Sequence, residues 1–374
     1  MIKNSAYKKQ LFAGITKYVE KKYKLAAVRY IRLGYQVIRV LCYAQEILLQ
    51  MGKQLTYTMS ETAKNYDATI IAWQEQDIRH FLGEINEQFD LRKNMRLRLD
   101  MLLCRQFYIR IRENTHINST LVEVDEHAEH IRAYNEDAKT YYVAWRTTTA
   151  ENLMQDGHLF VQQLYHICNT PTRHLVHGAV VGINGNGVLF CARGGRGKST
   201  LTVKALLDGF EYVSDDYLLL DKTKDDKLTA SPIYSIITLS PKMHSLMADE
   251  FAGEFIAKNA RGDKSVFNIA AYHKQFKSNY PLNMLMFPQI VADNGPNIKP
   301  MHKGRAVTQL IHSTITQTDD IYNTSTLRKL LGFLKDLPCY QIDLSSDIAE
   351  NTRCLRQFLT VFEKDIKNGK LCAK

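Results

Sequence analysis

The sequence predicts an α/β protein with a mixed β-sheet core and an all-helical region before it. Three observations lead to this fold class. After His174, apolar runs of strand length alternate with segments whose apolar residues recur at helical spacing. A glycine-rich turn joins one such run to a helical segment within residues 188–206. The chain has no proline before Pro171, which agrees with long helices joined by short connections.

The N-terminal region, residues 1–118, is expected to be helical throughout. In residues 11–51 apolar side chains recur at steps of three and four: Val28, Ile31, Tyr35, Ile38 and Leu41. Residues 61–89 repeat this spacing, and residues 91–111 alternate arginines with apolar side chains. We therefore predict helices over these three ranges. A domain boundary is predicted at 118/119, so that residues 119–374 form the mixed core.

The N-terminal region also carries most of the excess charge. The chain has a net charge of +10, and residues 1–115 contain 20 Lys and Arg against 11 Asp and Glu. A basic region of this kind favours an anionic partner, such as an acidic peptide, a nucleic acid or anionic lipid. A solvated basic face with no partner explains the same composition equally well.

Compartment and membrane attachment follow from other features of the composition. The apolar stretch at residues 28–51 is interrupted by arginines, and no run is long enough to span a bilayer. No signal-peptide core follows the N-terminus. The seven cysteines are scattered, odd in number and without a C-x-x-C pair. These features predict a cytoplasmic protein with no membrane span, disulfide framework or zinc site.

Three further elements are predicted before the glycine-rich turn. Residues 140–146 read as a strand, and residues 150–169 read as a helix with one apolar side. Asn184-Gly185-Asn186-Gly187 is a hairpin signal between two apolar runs. The run ending at Ala192 is therefore expected to pair antiparallel with the strand that begins near His177.

The turn after Ala192 has the composition of a phosphate-binding loop. A buried-strand run at residues 188–192 meets a glycine-rich stretch, and a helix follows. The backbone N–H groups of such a loop and of the helix N-terminus point at phosphate oxygens. The predicted nucleotide-binding residues are Arg193, Gly194, Gly195, Arg196, Gly197, Lys198, Ser199 and Thr200. Lys198 reaches the β- and γ-phosphates in this pattern, and the Ser199 hydroxyl ligates Mg²⁺.

One position departs from the G-x-x-x-x-G-K-[ST] pattern, because Ala192 stands where the first glycine belongs. Alanine is small enough for a close approach to the helix. A positive φ at this position would however be strained. A glycine-rich turn before an ordinary surface helix is the alternative to a phosphate site.

Two adjacent carboxylates follow the loop and its helix. Gly209 is expected to end the helix, and a short apolar strand then leads to Asp215 and Asp216. A carboxylate pair at the end of such a strand can hold Mg²⁺ and accept a proton from a nucleophile. A solvated acidic turn is the alternative, although apolar runs on both sides favour burial.

The later part of the chain predicts further alternation of strands and helices. Ser240-Pro241 begins a helix, with Ser as the N-cap and Pro in the first turn. Residues 282–291 are expected to form a buried strand that Pro288 interrupts. Helices are predicted over residues 324–337 and 346–367.

The segment from His174 to Asp221 resembles the core of the HPr kinase/phosphorylase family. The resemblance is carried by His177-Gly178, the hairpin, the loop ending Gly197-Lys198-Ser199-Thr200, Gly209 and Ser214-Asp215-Asp216. It continues more weakly through residues 339–344, which look like the late strand before the family's final helix, and it does not cover residues 1 to about 115. This family has a loop related to that of ATP-dependent phosphoenolpyruvate carboxykinase. The resemblance implies a mixed-sheet P-loop kinase core, with ATP and Mg²⁺ as cofactors.

The resemblance also implies roles for individual residues. Lys198 and the loop amides bind phosphates, and Ser199 and Asp215 hold the metal. Asp216 is the base that accepts the proton of a substrate hydroxyl, and His177 lies beside it and tunes it. The reaction is transfer of the γ-phosphoryl group to a hydroxyl, a serine of a protein or peptide. The acceptor and the oligomeric state, a homo-oligomer included, stay open.

Two departures separate this chain from the HPr kinases themselves. The E-x-R-G-x-G signature that follows the carboxylate pair in those enzymes is absent, and arginines flank the loop glycines at 193 and 196. Both count against HPr as the substrate. A nucleotide-binding switch or NTPase without an acceptor is the alternative function, because binding phosphates does not specify where they go. A nucleic-acid binder ranks third, since no recognition motif accompanies the basic region.

Overall fold

A computed structural model describes residues 4–89, 106–110, 120–125, 130–154, 158–259, 262–291, 295–314 and 324–368. The chain divides into two compact units. The first comprises Met1–Gln54 and Met59–Gln163, and the second comprises Leu55–Thr58 and Leu164–Lys374. The predicted boundary at 118/119 lies outside the described residues. The units divide later because strands beyond this point pair with the sheet of the first unit.

The first unit is built on a sheet of eight strands in the order β3-β1-β2-β4-β8-β7-β6-β5. Its described elements, in chain order, are α1 (Asn4–Lys22), β1 (Ala27–Leu33), β2 (Gln36–Cys42), α2 (Gln45–Gln54), β3 (Met59–Ser60), β4 (Ala68–Gln74), α3 (Ile78–Phe89), β5 (Gln106–Arg110), β6 (Thr120–Asp125), β7 (His130–Asn135), β8 (Thr140–Trp145) and α4 (Ala150–Leu153). The pairs β2–β4 and β4–β8 are parallel, so the sheet is mixed.

The predicted all-helical N-terminal region is wrong. Helices α1, α2 and α3 lie within the predicted helical ranges, but β1, β2 and β4 do as well. Burial along β2 alternates residue by residue, and Tyr35, counted in the helical pattern, is 65% exposed in the turn between β1 and β2. Over seven residues a period of two and a period of 3.6 share several positions, so spacing alone cannot separate them. Residues 91–105 of the third predicted helix lie outside the described residues.

The second unit contains the mixed core, with a nine-stranded sheet and a separate three-stranded sheet, β15-β17-β16. After α5 (Val161–Cys168), which crosses the division, its described elements are β9 (Arg173–His177), β10 (Ala179–Ile183), β11 (Asn186–Phe190), α6 (Lys198–Leu207), β12 (Glu211–Ser214), β13 (Tyr217–Lys222), β14 (Leu228–Pro232), β15 (Ile236–Leu239), α7 (Pro241–Leu246), β16 (Glu254–Lys258), β17 (Ser265–Asn268), β18 (Tyr280–Ile290), β19 (Asn297–Pro300), α8 (Lys303–Thr314), α9 (Thr324–Leu334), β20 (Cys339–Leu344) and α10 (Ile348–Lys367).

Helices cover both faces of the large sheet around β11. Val188 and Phe190 pack in a cluster with residues of α6 and α10, whereas Leu189 and Cys191 pack in another with residues of α8 and α9. Successive residues of a strand point to opposite faces, so a continuous apolar run is what a strand buried on both faces requires. Strands β11, β18 and β20 run parallel to one another. Their carboxyl ends therefore lie on the same edge of the sheet.

Several predicted elements of this unit are confirmed. Strands β10 and β11 form the antiparallel hairpin, with Asn184 and Gly185 both at positive φ in its turn. The Ser240 side chain caps α7 by accepting from the Met243 N–H. Strand β20 and helices α9 and α10 lie within their predicted ranges. The predicted helix over residues 150–169 is instead divided into α4 and α5, and the predicted strand over 140–146 is β8.

None of the helices in the described part of the chain is both long enough and apolar enough to cross a bilayer.

Candidate functional site

The glycine-rich loop connects β11 to α6, as the sequence predicts. Gly195 and Gly197 have φ of 81° and 90°, a region in which a side chain is disfavoured. A Cβ atom on Gly197 would also lie 2.5 Å from Leu344 Cδ1. The sequence therefore supplies glycine where both the backbone conformation and the packing against β20 require it.

Ala192, at the departure from the motif, lies outside the residues with positive φ. The strain that a positive φ would have caused at this position is absent. Ala192 is buried and lies two residues after the end of β11. The missing glycine therefore leaves the loop conformation intact.

The loop leads directly into the N-terminus of α6, which begins at Lys198. Gly197 is the N-cap and has no side chain to accept from the first N–H groups of the helix. The first four N–H groups of a helix lack intrahelical partners, and the helix dipole makes this end positive. Thr200 lies in this first turn and is half-buried. The arrangement suits an anion such as a phosphate.

Lys198 contacts both of the predicted acids. Its Nζ lies 2.9 Å from Asp215 Oδ1 and 2.7 Å from Asp216 Oδ1, and its side chain is 8% exposed. Burial by itself would lower the pKa of Lys198, but attraction to the two aspartates outweighs it and raises the pKa above the ordinary value. Lys198 is therefore a buried cation held between two carboxylates.

Asp215 is fully buried and has only one of its oxygens paired. Oδ1 accepts from Lys198 and from the Ser199 hydroxyl, at 3.2 Å, whereas Oδ2 has no hydrogen-bond partner among the described residues. Burial raises the pKa of the Asp215 carboxyl, Lys198 opposes the rise, and repulsion by Asp216 adds to it. An unpaired buried carboxylate oxygen is costly, which makes Asp215 a candidate functional residue.

Asp216 has a strained backbone and lies beside His177. Its φ is 89°, a conformation that costs a non-glycine residue about 1–3 kcal/mol and persists only when surrounding structure holds it. Its carbonyl oxygen accepts from the Gly178 N–H at 2.7 Å. Asp216 Oδ1 lies 3.4 Å from His177 Nε2, and the Asp216 side chain is 21% exposed. Of the two predicted acids, Asp216 is therefore the one whose side chain is partly exposed.

Sheet topology brings these side chains together. His177 ends β9, and Asp215 and Asp216 join β12 to β13, which pairs with β9 so that Tyr217 lies opposite His177. Lys198 comes from the loop after β11. We call His177, Lys198, Asp215 and Asp216 the Lys198 cluster; it unites all four predicted catalytic residues.

A cavity of about 290 Å³ lies beside the loop. In the sheet, β10 and β12 lie on one side of β11, and β18 and β20 lie on the other. The cavity opens at the carboxyl ends of β11, β18 and β20, where ligands bind in open α/β sheets. Its lining consists of Ala192, Arg193, Arg196, Phe287, Pro288, Gln289, Arg305, Gln309 and Gln341.

Arg193 and Arg196 thus lie on the cavity side and not in the Lys198 cluster, although both belong to the predicted loop. The remaining lining from β18, α8 and β20 was missed by sequence reasoning. One signal was available for Gln341, because a polar residue inside an apolar strand must find a partner or a ligand. The other lining residues are brought to the cavity by the sheet order and by the packing of α8, which the sequence does not encode locally.

The residues around Asp215 fit the predicted Mg²⁺. Among the described residues, no group of three or more His, Cys, Asp or Glu side chains is arranged to hold a metal by itself. Mg²⁺ does not require such a group, because it is usually held by one or two carboxylates together with substrate phosphates. The Ser199 hydroxyl and the unpaired Asp215 Oδ2 supply oxygen ligands of this kind.

The chain was compared with models of protein families and with curated proteins. Neither comparison found a match.

Proposed function

We propose that the second unit is an ATP-dependent kinase of the HPr-kinase-like class, with a P-loop core of the type found in phosphoenolpyruvate carboxykinase. It transfers the γ-phosphoryl group to a hydroxyl, that of a serine in a protein or peptide. One observation carries the proposal: a single lysine at the phosphate loop contacts both acids, and one of these acids neighbours a histidine. The Lys198 side chain therefore connects the proposed phosphate-binding loop with Asp216, the proposed proton acceptor.

Charge neutralisation is the role of the loop and of Lys198. Phosphoryl transfer depends mostly on positioning and on stabilising the charge of the phosphoryl oxygens. The loop amides and the α6 N-terminus bind the phosphates, and the Lys198 ammonium exchanges an aspartate for a phosphate oxygen when the nucleotide arrives. Its high pKa keeps it protonated throughout.

Proton transfer is the role of Asp216. Its partly exposed carboxylate accepts the proton of the attacking hydroxyl, and His177 at 3.4 Å orients it. The constrained backbone at Asp216 holds the carboxylate in place. Mg²⁺, when bound by Ser199 and Asp215, neutralises charge on the β- and γ-phosphates.

The proposal extends to partner and compartment. The basic composition of residues 1–115 favours an anionic partner, and an acidic protein or peptide acceptor meets this requirement. Five cysteines of the described residues are free, among them Cys42, Cys168 and Cys191, which are buried. Free thiols are the normal state in the cytoplasm, where we place the protein.

The test is single-turnover transfer from γ-labelled ATP to an array of serine-containing peptides, with alanine-substituted peptides as blanks. Lys198→Ala should lose both ATP binding and transfer. Asp216→Asn should keep ATP binding and slow transfer by about 10²–10⁴-fold, the usual contribution of a general base. Asp225→Asn, an exposed aspartate in the same unit, is the matched control and should behave as wild type.

Two results would contradict the proposal. Unchanged transfer by Asp216→Asn removes the assigned base. Steady ATP hydrolysis by the wild type, with no labelled peptide or co-purifying protein, supports the nucleotide-binding switch or NTPase instead.

A further inference from the structure

The cavity beside the loop combines apolar and polar groups in the proportions of a ligand pocket. Ala192, Phe287 and Pro288 contribute apolar surface, and three glutamines contribute amide groups. Its volume of about 290 Å³ is just below the range of about 300–1,000 Å³ that is usual for small-molecule sites. The cavity can therefore take one part of a ligand whose remainder lies outside it.

If the proposed phosphate site is correct, the position of the cavity indicates which part of the ligand the cavity holds. Lys198, Asp215 and Asp216, which define the position of the terminal phosphate, are not among the lining residues of the cavity. The cavity is lined by Arg193 and Arg196 of the same loop and by residues of β18 and β20. A nucleotide whose triphosphate lies along the loop has its terminal phosphate at the acids and its nucleoside toward the cavity.

Gln341 is the cavity residue with an unmet hydrogen-bonding requirement. It is 5% exposed, and its Oε1 has no partner among the described residues. Its Nε2 donates to Asp343 Oδ1. Because an ionised carboxylate accepts only, Asp343 holds the NH₂ group of Gln341 on its own side. The carbonyl oxygen of Gln341 is thereby left as a hydrogen-bond acceptor without a donor among the described residues.

Asp343 is itself fixed as an ionised acceptor. Lys299 Nζ lies 2.7 Å from its Oδ2. Burial acts to raise the pKa of Asp343, but hydrogen bonds from Lys299 and Gln341 outweigh it and lower the pKa below the ordinary value. Lys299 keeps Asp343 ionised, and Asp343 binds the NH₂ group of Gln341. These two contacts determine that the carbonyl end of the Gln341 amide is the one without a partner among the described residues.

We infer that the cavity binds the adenine base of ATP, and that the Gln341 carbonyl oxygen accepts a hydrogen bond from its exocyclic amino group. Arg193 and Arg196 line the same cavity from the loop and are placed to contact the ribose and phosphates. Guanine and hypoxanthine carry an oxygen where adenine carries the amino group. Two acceptors then face each other, and the site rejects GTP and ITP.

The experiment measures equilibrium binding of ATP, ITP, GTP and tripolyphosphate to the full chain with Mg²⁺. Wild type should bind ATP about 10–100-fold more tightly than ITP, which corresponds to one buried unsatisfied pair. Gln341→Leu should reduce this ratio to near one while the tripolyphosphate affinity is unchanged. Gln357→Leu, the same change at an exposed position of α10, should keep the wild-type ratio.

A second variant is designed to turn the Gln341 side-chain amide around and not to remove it. Asp343→Asn offers an NH₂ group, so the Gln341 carbonyl can turn to it and present its own NH₂ to the base. This variant should shift preference toward ITP by at least tenfold relative to wild type. Tripolyphosphate binding again reports whether the loop remains folded.

Separate outcomes identify separate failures. If tripolyphosphate fails to bind the wild type, the phosphate site and the kinase proposal fail together with this inference. If tripolyphosphate binds but ATP and ITP bind equally, only the assignment of the cavity is overturned. The same conclusion follows if Gln341→Leu raises the KM for an acceptor peptide and leaves the ATP to ITP ratio unchanged, because the cavity then holds the acceptor.

Discussion

Each unit of this protein has a buried carboxylate directly after a strand, and the two are satisfied very differently. Glu75 follows β4 in the first unit, and Asp215 follows β12 in the second. Both side chains are fully buried. We call Tyr18, Lys22, Tyr23 and Glu75 the Glu75 cluster.

Four donors meet the two oxygens of Glu75. Tyr18 and Tyr23 donate to Oε2 at 2.9 and 2.8 Å, and Lys22 and the Asp77 N–H donate to Oε1 at 3.0 and 3.2 Å. Asp215, in contrast, has an unpaired oxygen and a second carboxylate beside it. Burial after a strand is common to both residues. The comparison teaches that unmet hydrogen bonding and excess like charge are what separate a candidate site from a structural cluster.

The largest expected effect is that of Lys198→Met, which removes the ammonium between the two carboxylates. Breaking a buried ion pair from one side costs about 3–5 kcal/mol. Without the ammonium, the pKa of Asp215 rises further. An acid whose pKa is higher in the folded than in the unfolded state destabilises the fold as pH rises above its ordinary value. The loss should therefore be larger at pH 8 than at pH 4.5.

Hydrogen exchange of α6 and β12 at the two pH values measures this loss, since it reports on the second unit alone. An equal loss at both values would show that the aspartates do not repel in the way proposed.

The next largest effect is expected in the first unit. Glu75→Gln removes a charge from a fully paired group and leaves donors facing an NH₂ group, at a cost of about 1–3 kcal/mol. Urea unfolding followed by tryptophan fluorescence measures it, because both tryptophans, Trp73 and Trp145, belong to the first unit. Tripolyphosphate affinity should not change. A lower tripolyphosphate affinity in Glu75→Gln would contradict a purely structural role of the Glu75 cluster.

The same acid-to-amide change should have the opposite sign at Asp215. Because the pKa of Asp215 is raised, its protonated form suits the fold better than its charged form, and Asn mimics the protonated form. Asp215→Asn should stabilise the second unit at pH 8 by about 0.5–2 kcal/mol and abolish Mg²⁺-dependent transfer. The stabilisation should vanish near pH 3, where the wild-type residue is protonated. Calorimetry across this pH range checks the sign.

The smallest effect is that of Tyr23→Phe, which deletes one of the four donors to Glu75. We expect the free energy of unfolding of the first unit to fall by about 0.5–1.5 kcal/mol, the usual net contribution of one hydrogen bond. Burial and Glu75 raise the pKa of Tyr23, so the folded wild type keeps this bond at pH values where an exposed tyrosine ionises. The difference in unfolding free energy between Tyr23→Phe and wild type, followed by tryptophan fluorescence, should therefore be constant from about pH 7 to 9, below the ordinary tyrosine pKa of 10.0.

Prediction from sequence succeeded where a local pattern has one structural solution. A strand, a loop of glycines and a helix that starts at a lysine can be assembled in few ways, so the loop was placed to the residue. The N-terminal region failed because short apolar runs such as residues 36–42 satisfy both helical and strand periods. Only pairing with β1 and β4 selects the strand.

The amino-acid sequence by itself determined the glycine-rich loop, the hairpin before it and the identity of the four residues in the Lys198 cluster. These features can be read from the sequence because the conformational freedom of glycine and the charges of lysine and aspartate are properties of the residues themselves. Tertiary structure alone decided that His177 meets Asp216, that Asp215 keeps an unpaired oxygen and that Gln341 faces the loop from a strand far along the chain. These depend on which strands are neighbours in the sheet, and pairing between distant segments is set by the packing of the whole core.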